Sequence, residues 1–261
     1  MKYVYICLCA LVVLFEVSCN NQGKQEIVIF AASSLTDVFQ EIGEVFQEDY
    51  PEFTVLFNFS GSSTLRMQLD FGAQADLFAS ANSYQIALAL ENNTVIGNPE
   101  QFATNELILV SAKSNTRVNS LHDLKKQGVK IILGSSLVPI GVYTNEVLDN
   151  LTADPFFGAD YREKVEDNIV SFEPNVRIIL SKVLLKQADA AFVYSTDINH
   201  TNTEKLKIIT IPLEYNVSVG YFILGTADSL NSSGASKFIQ FLESDQGIDI
   251  FKEYGFKGNE F

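Results

Sequence analysis

Hydroxyl-bearing residues follow two β-rich runs at the points where amphipathic helical patterns begin. Ser33 and Ser34 form one pair, while Ser62 and Ser63 form the other directly after Gly61. Serine is a favoured helix N-cap residue, so capping is the simplest interpretation of each pair. A helix N-terminus also offers free N–H groups and the positive end of the helix dipole to an anion. The two pairs therefore predict caps, one wall of an anion-binding site, or both, because a capped helix start is also able to bind an anion.

Two further helix starts carry donors of another kind. Pro139 suits the first position of a helix, which leaves the backbone N–H of Ile140 available. Asn175 is suited to cap the next pattern, in which Val176 begins a helical face. Tyr194 closes a later β-rich run and offers a phenolic hydroxyl. Together with the serines, these positions predict a set of neutral N–H and O–H donors.

Neutral donors suit a fully ionised tetrahedral oxyanion, because all of its oxygens are acceptors. A hydrogen bond to a charged group contributes roughly 1.5–3 kcal/mol, so several of them are able to outweigh desolvation without an arginine. The formal net charge of this 261-residue chain is −14, which argues against nucleic acid and anionic membranes as electrostatic partners. An anion must therefore be captured by local groups, against the long-range field of the protein.

The N-terminus has the pattern of an export signal. The apolar run Tyr3–Phe15 is too short to span a bilayer and has the length of a signal-peptide core. We predict a lipoprotein-type signal peptide over residues 1–18, lipidation of Cys19 and a linker over residues 19–25. Glu16 stands where such signals usually carry an apolar residue, so ordinary secretion with cleavage nearby is the alternative. The expected location is the periplasm or the cell surface, with a lipid anchor in a bacterial membrane.

Cysteine usage agrees with export. All three cysteines lie in the leader, at positions 7, 9 and 19. The rest of the chain therefore has none with which to form a disulfide or bind a metal directly. We predict no cofactor and no direct metal ligands.

The elements that must position the donors alternate between short β-rich runs and helical patterns. This alternation predicts an α/β fold with largely parallel sheets. The predicted strands are Ile27–Ala31, Thr54–Phe59, Asp76–Ser80, Glu106–Ser111, Val129–Gly134, Ile169–Phe172, Ala190–Tyr194, Lys207–Pro212 and Val217–Leu224. Open α/β sheets bind ligands at the carboxyl ends of their strands, which is where the serines and Tyr194 lie.

Turn-rich and polar segments indicate two lobes with a chain crossing on either side of the second. We predict a discontinuous first lobe formed by residues 26–104 plus 196–261. Residues 105–195 would form a continuous second lobe. The polar stretch after Tyr194 is the place where the chain is expected to cross back.

Several segments occur together in the order seen in one known family. They are FAASSLTDVF, FSGSSTLRMQ with GAQADLFASA, VPIGVY, NVRIILSKV, AAFVYSTD and the C-terminal DQGIDIFKEYGF. Over nearly the whole mature chain, the sequence resembles the bacterial periplasmic molybdate-binding proteins of ABC transporters. The resemblance implies a type II periplasmic-binding-protein fold, with two α/β lobes on a crossover hinge that close around one oxyanion. It also implies capture of molybdate, and of tungstate, for delivery to an ABC transporter permease; we expect a monomer.

The resemblance further implies ligand contacts at the matching positions. These are three hydroxyls and two backbone N–H groups, at Ser34, Ser62, Tyr194, Ile140 and Val176. The family commonly has alanine in place of Ile140, so the larger side chain is expected to affect cavity shape or lobe closure. Ser33 and Ser63 are candidates for additional contacts.

Charged residues near these motifs have simpler interpretations. Arg177 stands in the first turn of a predicted helix and is expected to pair with a carboxylate in preference to a ligand. Asp37 lies in another first turn, where an acid is favoured by the helix dipole. Asp76 begins a strand near the predicted cleft and is a candidate for supporting a ligand residue. His122 and His200, the two histidines of the chain, lie in polar contexts typical of the surface.

Three alternatives stand beside molybdate binding. Sulfate and phosphate are also tetrahedral, and donor chemistry alone does not separate sulfate from molybdate. A secreted serine hydrolase needs a nucleophile, a base and an orienting acid, yet SGSS is not the G-x-S-x-G elbow and histidines are scarce. A sensor lobe that presents its ligand to a receptor would share the fold and the site. The sequence favours a binding protein over an enzyme.

Overall fold

The computed structural model describes residues 24–199 and 201–258, which form two β-sheets flanked by helices. The strands are β1 (Gln25–Ala32), β2 (Phe53–Ser60), β3 (Leu77–Ser80), β4 (Val95–Ala112), β5 (Ile131–Gly134), β6 (Ile169–Glu173), β7 (Ala190–Tyr194), β8 (Leu206–Thr210), β9 (Ser218–Thr226) and β10 (Lys257–Gly258). The predicted signal peptide, Cys19, most of the predicted linker and His200 lie outside the described residues.

The helices occupy the connections between strands, as the alternating pattern predicts. They are α1 (Thr36–Asp49), α2 (Ser62–Asp70), α3 (Ser83–Glu91), α4 (Pro139–Ala153), α5 (Tyr161–Glu166), α6 (Val176–Leu184), α7 (Ser232–Leu242) and α8 (Asp245–Glu253). Their apolar faces pack on the sheets, and Phe39 of α1 contacts Phe238 of α7 at a ring-centroid distance of 5.9 Å. Within the described part of the chain, no helix combines the length and the apolar character needed to cross a membrane.

The first sheet brings the two serine pairs to one edge. Its strand order is β2-β1-β3-β9-β4, with β10 also paired to β4. β1 runs parallel to β2 and β3, and Ala32 pairs with Ser60 at the carboxyl ends of β1 and β2. This register places the turn at Ser33 beside the start of α2 at Ser62.

The second sheet supplies the other two helix starts and Tyr194. β5 runs parallel to both β6 and β7, while β7 and β8 run antiparallel to β4. The chain enters α4 after β5 and α6 after β6, so both helix N-termini lie at the carboxyl edge at which β7 ends.

A single strand joins the two sheets. β4 is 18 residues long, and its residues up to Glu106 pair with β9, whereas those from Leu107 pair with β7 and β8. The side chain of Asn216 substitutes for a strand neighbour at this point. Its Oδ1 accepts the Leu107 N–H at 3.3 Å and its Nδ2 donates to the Leu107 carbonyl at 2.9 Å. The crossing lies two residues from the boundary predicted between residues 104 and 105.

The return crossing differs from the predicted division of the lobes. β8 belongs to the range 196–261 assigned to the first lobe, yet it pairs with Ile108–Ala112 of β4 in the second sheet. The polar stretch after Tyr194 touches the first lobe, where Asn105 donates to Thr196 at 2.7 Å, and then leads back to β8. On this pairing we propose that the second lobe includes β8 and that the chain returns between β8 and β9.

The prediction of largely parallel sheets is wrong in one respect. The parallel pairs are confined to β2-β1-β3 in the first sheet and β6-β5-β7 in the second, and every pairing that involves β4 or β9 is antiparallel. The reason is that β4, which joins the two sheets, runs opposite to every strand with which it pairs, and β9 also runs opposite to β3. All predicted strands correspond to observed strands, but β4 starts eleven residues before the predicted Glu106 because register shifts near Glu100 break its alternation.

Candidate functional site

The four helix starts singled out from the sequence surround one small cavity between the two lobes. Its lining residues are Ala32, Ser33, Ser34, Gly61, Ser62, Ala81, Val138, Pro139, Ile140, Pro174, Asn175, Val176 and Tyr194. None of these described residues carries a formal charge. The cavity volume is about 20 Å³, far below the roughly 300–1,000 Å³ of pockets for drug-sized molecules. The cavity therefore suits a ligand of a few atoms.

Capping does not explain the serines. Ser33–Leu35 is a short 3-10 turn, and neither this turn nor α1 has a side-chain cap. α2 begins at Ser62 after Gly61, again without a side-chain cap. The capping interpretation is therefore wrong at both places, and the hydroxyls are left for other partners.

Ser34 is held by a hydrogen-bond chain that starts at the crossing strand. The Asn105 Nδ2 donates to the Tyr221 hydroxyl at 3.4 Å, and the Tyr221 hydroxyl donates to Ser34 Oγ at 3.0 Å. Burial raises the pKa of Tyr221 far above its usual range, so the phenol keeps its proton and remains a donor. Because Ser34 Oγ accepts this bond, its own hydrogen is available to an acceptor in the cavity.

Ser62 is arranged in the same way by a different partner. Its Oγ accepts the backbone N–H of Ala81 at 3.1 Å, and the residue is 1% exposed. The hydroxyl hydrogen of Ser62 therefore also remains to be donated.

The backbone donors at the other two helix starts are unpaired. The Val138 carbonyl accepts the N–H groups of Gly141 and Val142, and the Asn175 side chain accepts the N–H of Ile178 at 3.1 Å. The cap predicted at Asn175 is thus confirmed. In the described part of the chain, the N–H groups of Ile140 and Val176, which lie in the first turns of α4 and α6, meet no acceptor.

Tyr194 presents a buried hydroxyl without a partner. The residue is 2% exposed, and its Oη has no hydrogen bond within the described residues. Burial, with Tyr221, Tyr143 and Asp197 nearby, raises the pKa of Tyr194 well above its usual range. The phenol is therefore a permanent donor, and an orphaned buried hydroxyl of this kind calls for a ligand.

The remaining sequence candidates differ in their placement. Ser33 lines the cavity, whereas Ser63 is not among the lining residues. The Ile140 side chain is 2% exposed and lies over Gly134, where an added Cβ would come 2.6 Å from Ile140 Cγ2. The absence of a side chain at Gly134 thus makes room for the isoleucine.

Arg177 pairs with carboxylates, as expected, and lies behind the cavity wall. Its Nε donates to the Ser33 carbonyl at 3.1 Å and lies 3.6 Å from Asp197 Oδ1. Its Nη2 lies 3.1 Å from Asp37 Oδ2, but the alignment is that of an ion pair and not of a hydrogen bond. Burial raises the pKa of Asp197 to about 7, despite the opposing effect of Arg177.

The two lobes touch on more than one side of the cavity. The Gln85 Nε2 of α3 donates to the Leu137 carbonyl of the second lobe at 3.2 Å. Gly61 packs so closely that a Cβ added there would lie 2.3 Å from the Pro174 carbonyl oxygen. The cleft is therefore closed in this structure.

Two residues considered from the sequence have roles away from the cavity. Asp76 is buried and accepts the Val28 N–H at 2.8 Å, the Ser229 hydroxyl at 2.7 Å and the Asn231 N–H at 2.8 Å. It therefore joins structural segments and does not support a ligand residue. The His122 ring stacks on Phe157 at 4.6 Å and is not among the cavity residues.

Sequence reasoning missed Tyr221 and Asn105, which orient Ser34. Tyr221 lies in β9, where an aromatic residue is typical of a strand core, and Asn105 lies inside β4. A polar residue within an apolar strand was the one available signal at Asn105.

Comparisons with known proteins agree with this architecture. The model of a family described as bacterial extracellular solute-binding protein matches residues 27–257. The molybdate-binding protein ModA of Mycobacterium tuberculosis is 33% identical over 237 residues, which cover 90% of this chain and 86% of that protein. A solved substrate binding domain of a putative molybdenum ABC transporter from Clostridium difficile is 30% identical, with a TM-score of 0.65 and coverage of 91% of this chain and 100% of that chain.

A structural likeness to a sulfate-binding protein concerns the fold alone. The sulfate-binding protein SubI of Mycobacterium tuberculosis has a TM-score of 0.79 at 15% identity, with coverage of 90% of this chain and 88% of that chain. Two α/β lobes, a crossing strand and a cleft between the lobes define the type II periplasmic-binding-protein fold predicted from the sequence, which is confirmed. The chain belongs to the bacterial extracellular solute-binding protein family.

Proposed function

We propose that this protein captures molybdate, and tungstate as a close analogue, and delivers it to an ABC transporter permease. The observation that carries the proposal is the buried Tyr194 hydroxyl, which has no hydrogen-bond partner among the described residues and faces a small cavity whose described lining carries no formal charge. The Ser34 and Ser62 hydroxyls and the Ile140 and Val176 N–H groups complete the set of donors. The similarity to ModA and to the molybdenum-transporter domain supports molybdate in particular.

The charge-free cavity favours a fully ionised oxyanion. Molybdate, tungstate and sulfate have only acceptor oxygens, whereas hydrogen phosphate carries a proton that needs an acceptor of its own. No carboxylate lies among the described residues that line the cavity. Because the same donors suit both molybdate and sulfate, discrimination between the two anions must come from the size of the cavity.

Capture would work through closure of the lobes. Ser34 and Ser62 belong to the first lobe, and Ile140, Val176 and Tyr194 belong to the second. An anion that bonds to both sets binds the closed form better than the open one, and it shifts the equilibrium by that difference in affinity.

Calorimetry of the mature protein with molybdate, tungstate, sulfate and phosphate tests the proposal. We expect tight binding of molybdate and tungstate and weak or no binding of the other two. Ser62→Ala should weaken molybdate binding by roughly 1–3 kcal/mol if its hydroxyl donates to the anion. Tight sulfate or phosphate binding without any response to molybdate would refute the assignment.

We propose that the protein has no catalytic activity. A serine hydrolase would need a base beside Ser34 or Ser62, and His122 stacks on Phe157 instead. Turnover of a fluorogenic ester that is lost in Ser34→Ala or Ser62→Ala would contradict this view.

We propose further that the mature protein is a monomer anchored through a lipid on Cys19. The support is the lipoprotein-type pattern of the leader. Ordinary secretion would leave Cys19 without a lipid. Growth with an alkyne-bearing fatty acid should label the wild type and not Cys19→Ala, which should leave the membrane fraction. Light scattering of the mature domain should give the mass of one chain.

A further inference from the structure

Arg177 connects the two lobes from a position next to a proposed ligand residue. It follows Val176 in the first turn of α6, and its Nε donates across the cleft to the carbonyl of Ser33 at 3.1 Å. Ser33 in turn precedes Ser34, another proposed ligand residue. The anion and the guanidinium would thus join the same two segments, the turn after β1 and the start of α6.

Two carboxylates flank the guanidinium and fix its direction. Asp37, in the first lobe, lies 3.1 Å from Nη2, and it also accepts the Asn199 Nδ2 at 3.1 Å. Asp197 is fully buried and lies 3.6 Å from Nε, while its other oxygen accepts the Tyr194 N–H at 3.0 Å. Arg177 is therefore compensated by neighbouring acids and contributes through its geometry more than through long-range attraction of an anion.

We propose, resting on the function proposed above, that Arg177 is a positioning residue that holds the cleft closed over the bound oxyanion. The contact to Ser33 forms only when the turn after β1 and the start of α6 are together, which is also the arrangement that the anion requires. Each contact makes the other more favourable, so Arg177 slows release of the anion without touching it.

The test is stopped-flow kinetics and calorimetry with molybdate on wild type, Arg177→Met and Arg177→Lys. We expect molybdate to dissociate roughly ten- to a hundredfold faster from Arg177→Met, the effect of one lost hydrogen bond to a charged group. Association should change less than twofold. The dissociation rate from Arg177→Lys should lie between those of wild type and Arg177→Met, because lysine keeps the positive charge and lacks the planar guanidinium group. Tungstate affinity should fall by the same factor as molybdate affinity.

Lys182→Met is the matched control, because Lys182 lies on the same helix and pairs with Glu173 inside the second lobe. We expect its dissociation rate to stay within twofold of wild type. Asp37→Asn, at a partly exposed position, is a second variant that removes the negative charge paired with Arg177 across the cleft, and a two- to fivefold faster dissociation is expected.

The outcomes separate the two proposals. Wild type that binds none of the four anions would refute the proposed function, and this inference with it. If wild type binds sulfate or phosphate instead, the same kinetics with that anion test Arg177. Two results would overturn the role of Arg177 and leave the proposed function intact. One is a dissociation rate equal to that of wild type in both Arg177→Met and Asp37→Asn. The other is a change in the association rate with no change in the dissociation rate.

Discussion

Replacement of Gly61 by alanine should prevent the cleft from closing. The Cβ of the alanine would lie 2.3 Å from the carbonyl oxygen of Pro174, which belongs to the backbone of the other lobe. Gly61 has φ −63° and ψ 138°, a conformation that alanine adopts without strain. The substitution therefore adds a steric obstacle at the lobe contact and leaves the local backbone as it is.

The size of the effect follows from this distance. To reach even 3.0 Å, the closest separation real Cβ atoms show, the lobes must part by about 0.7 Å at this point. A hydrogen bond of roughly 2.9 Å stretched by that amount passes out of the useful range. Loss of the two donors of one lobe, at roughly 1.5–3 kcal/mol each, gives about 3–6 kcal/mol, or about 10²- to 10⁴-fold in affinity.

Calorimetry with molybdate measures the loss, and Gly225→Ala is the matched control. Gly225 lies in β9 with no heavy atom within 4 Å of an added Cβ, so its alanine variant should bind as wild type does. Thermal unfolding of ligand-free Gly61→Ala should be unchanged or slightly higher, since alanine restricts the unfolded chain. Wild-type affinity in Gly61→Ala would refute the view that the lobe contact at Pro174 is required for binding.

Three other outcomes are expected. Tyr194→Phe removes a hydroxyl that has no partner in the described part of the chain. Molybdate affinity should therefore fall roughly ten- to a hundredfold, while the unfolding midpoint of the ligand-free protein stays level or rises; a lower midpoint would contradict this. Burial raises the pKa of Asp197 to about 7, so the folded state holds a proton that the unfolded chain has released above about pH 4, and this contribution to stability is lost as pH rises from about 4 to 7. The free energy of unfolding of Asp197→Asn, measured relative to wild type with denaturant, should therefore be up to about 4 kcal/mol more favourable at pH 7 than at pH 4. A difference that does not change with pH would contradict this prediction. The net charge of −14 repels a dianion, so stopped-flow association should accelerate several-fold as salt rises from about 10 mM to 1 M and the Debye length falls from about 30 to 3 Å; slowing would indicate an attractive local field.

The helices and strands could be predicted from the sequence because the residue patterns that produce them lie within each segment. The predicted strand Thr54–Phe59 and the helical face that begins at Val176 each depend on neighbours in sequence, and both correspond to observed elements. The return crossing is different, since the membership of β8 depends on pairing with a strand about a hundred residues earlier. The residues of Leu206–Thr210 do not by themselves indicate which of the two sheets this strand joins.

The site divides in the same way. Ser34, Ser62, Ile140 and Val176, which line one cavity, could be predicted as candidates because helix starts have sequence signatures, although the serines do not cap. The partner that orients Ser34, Tyr221, lies 187 residues away and carries no local mark. The fit of Gly61 against Pro174 is a tertiary contact that becomes visible only with coordinates.

The division of the donors between two lobes also determines how a cargo would leave. No formal charge among the described lining residues holds the anion in place, so retention depends on alignment. Hydrogen bonds weaken steeply with distance, and a separation of about one ångström affects every donor of one lobe at once. Unloading is then abrupt: a transporter that moves the lobes slightly apart at Gly61 empties the site, and no ion pair between the anion and a lining residue has to break.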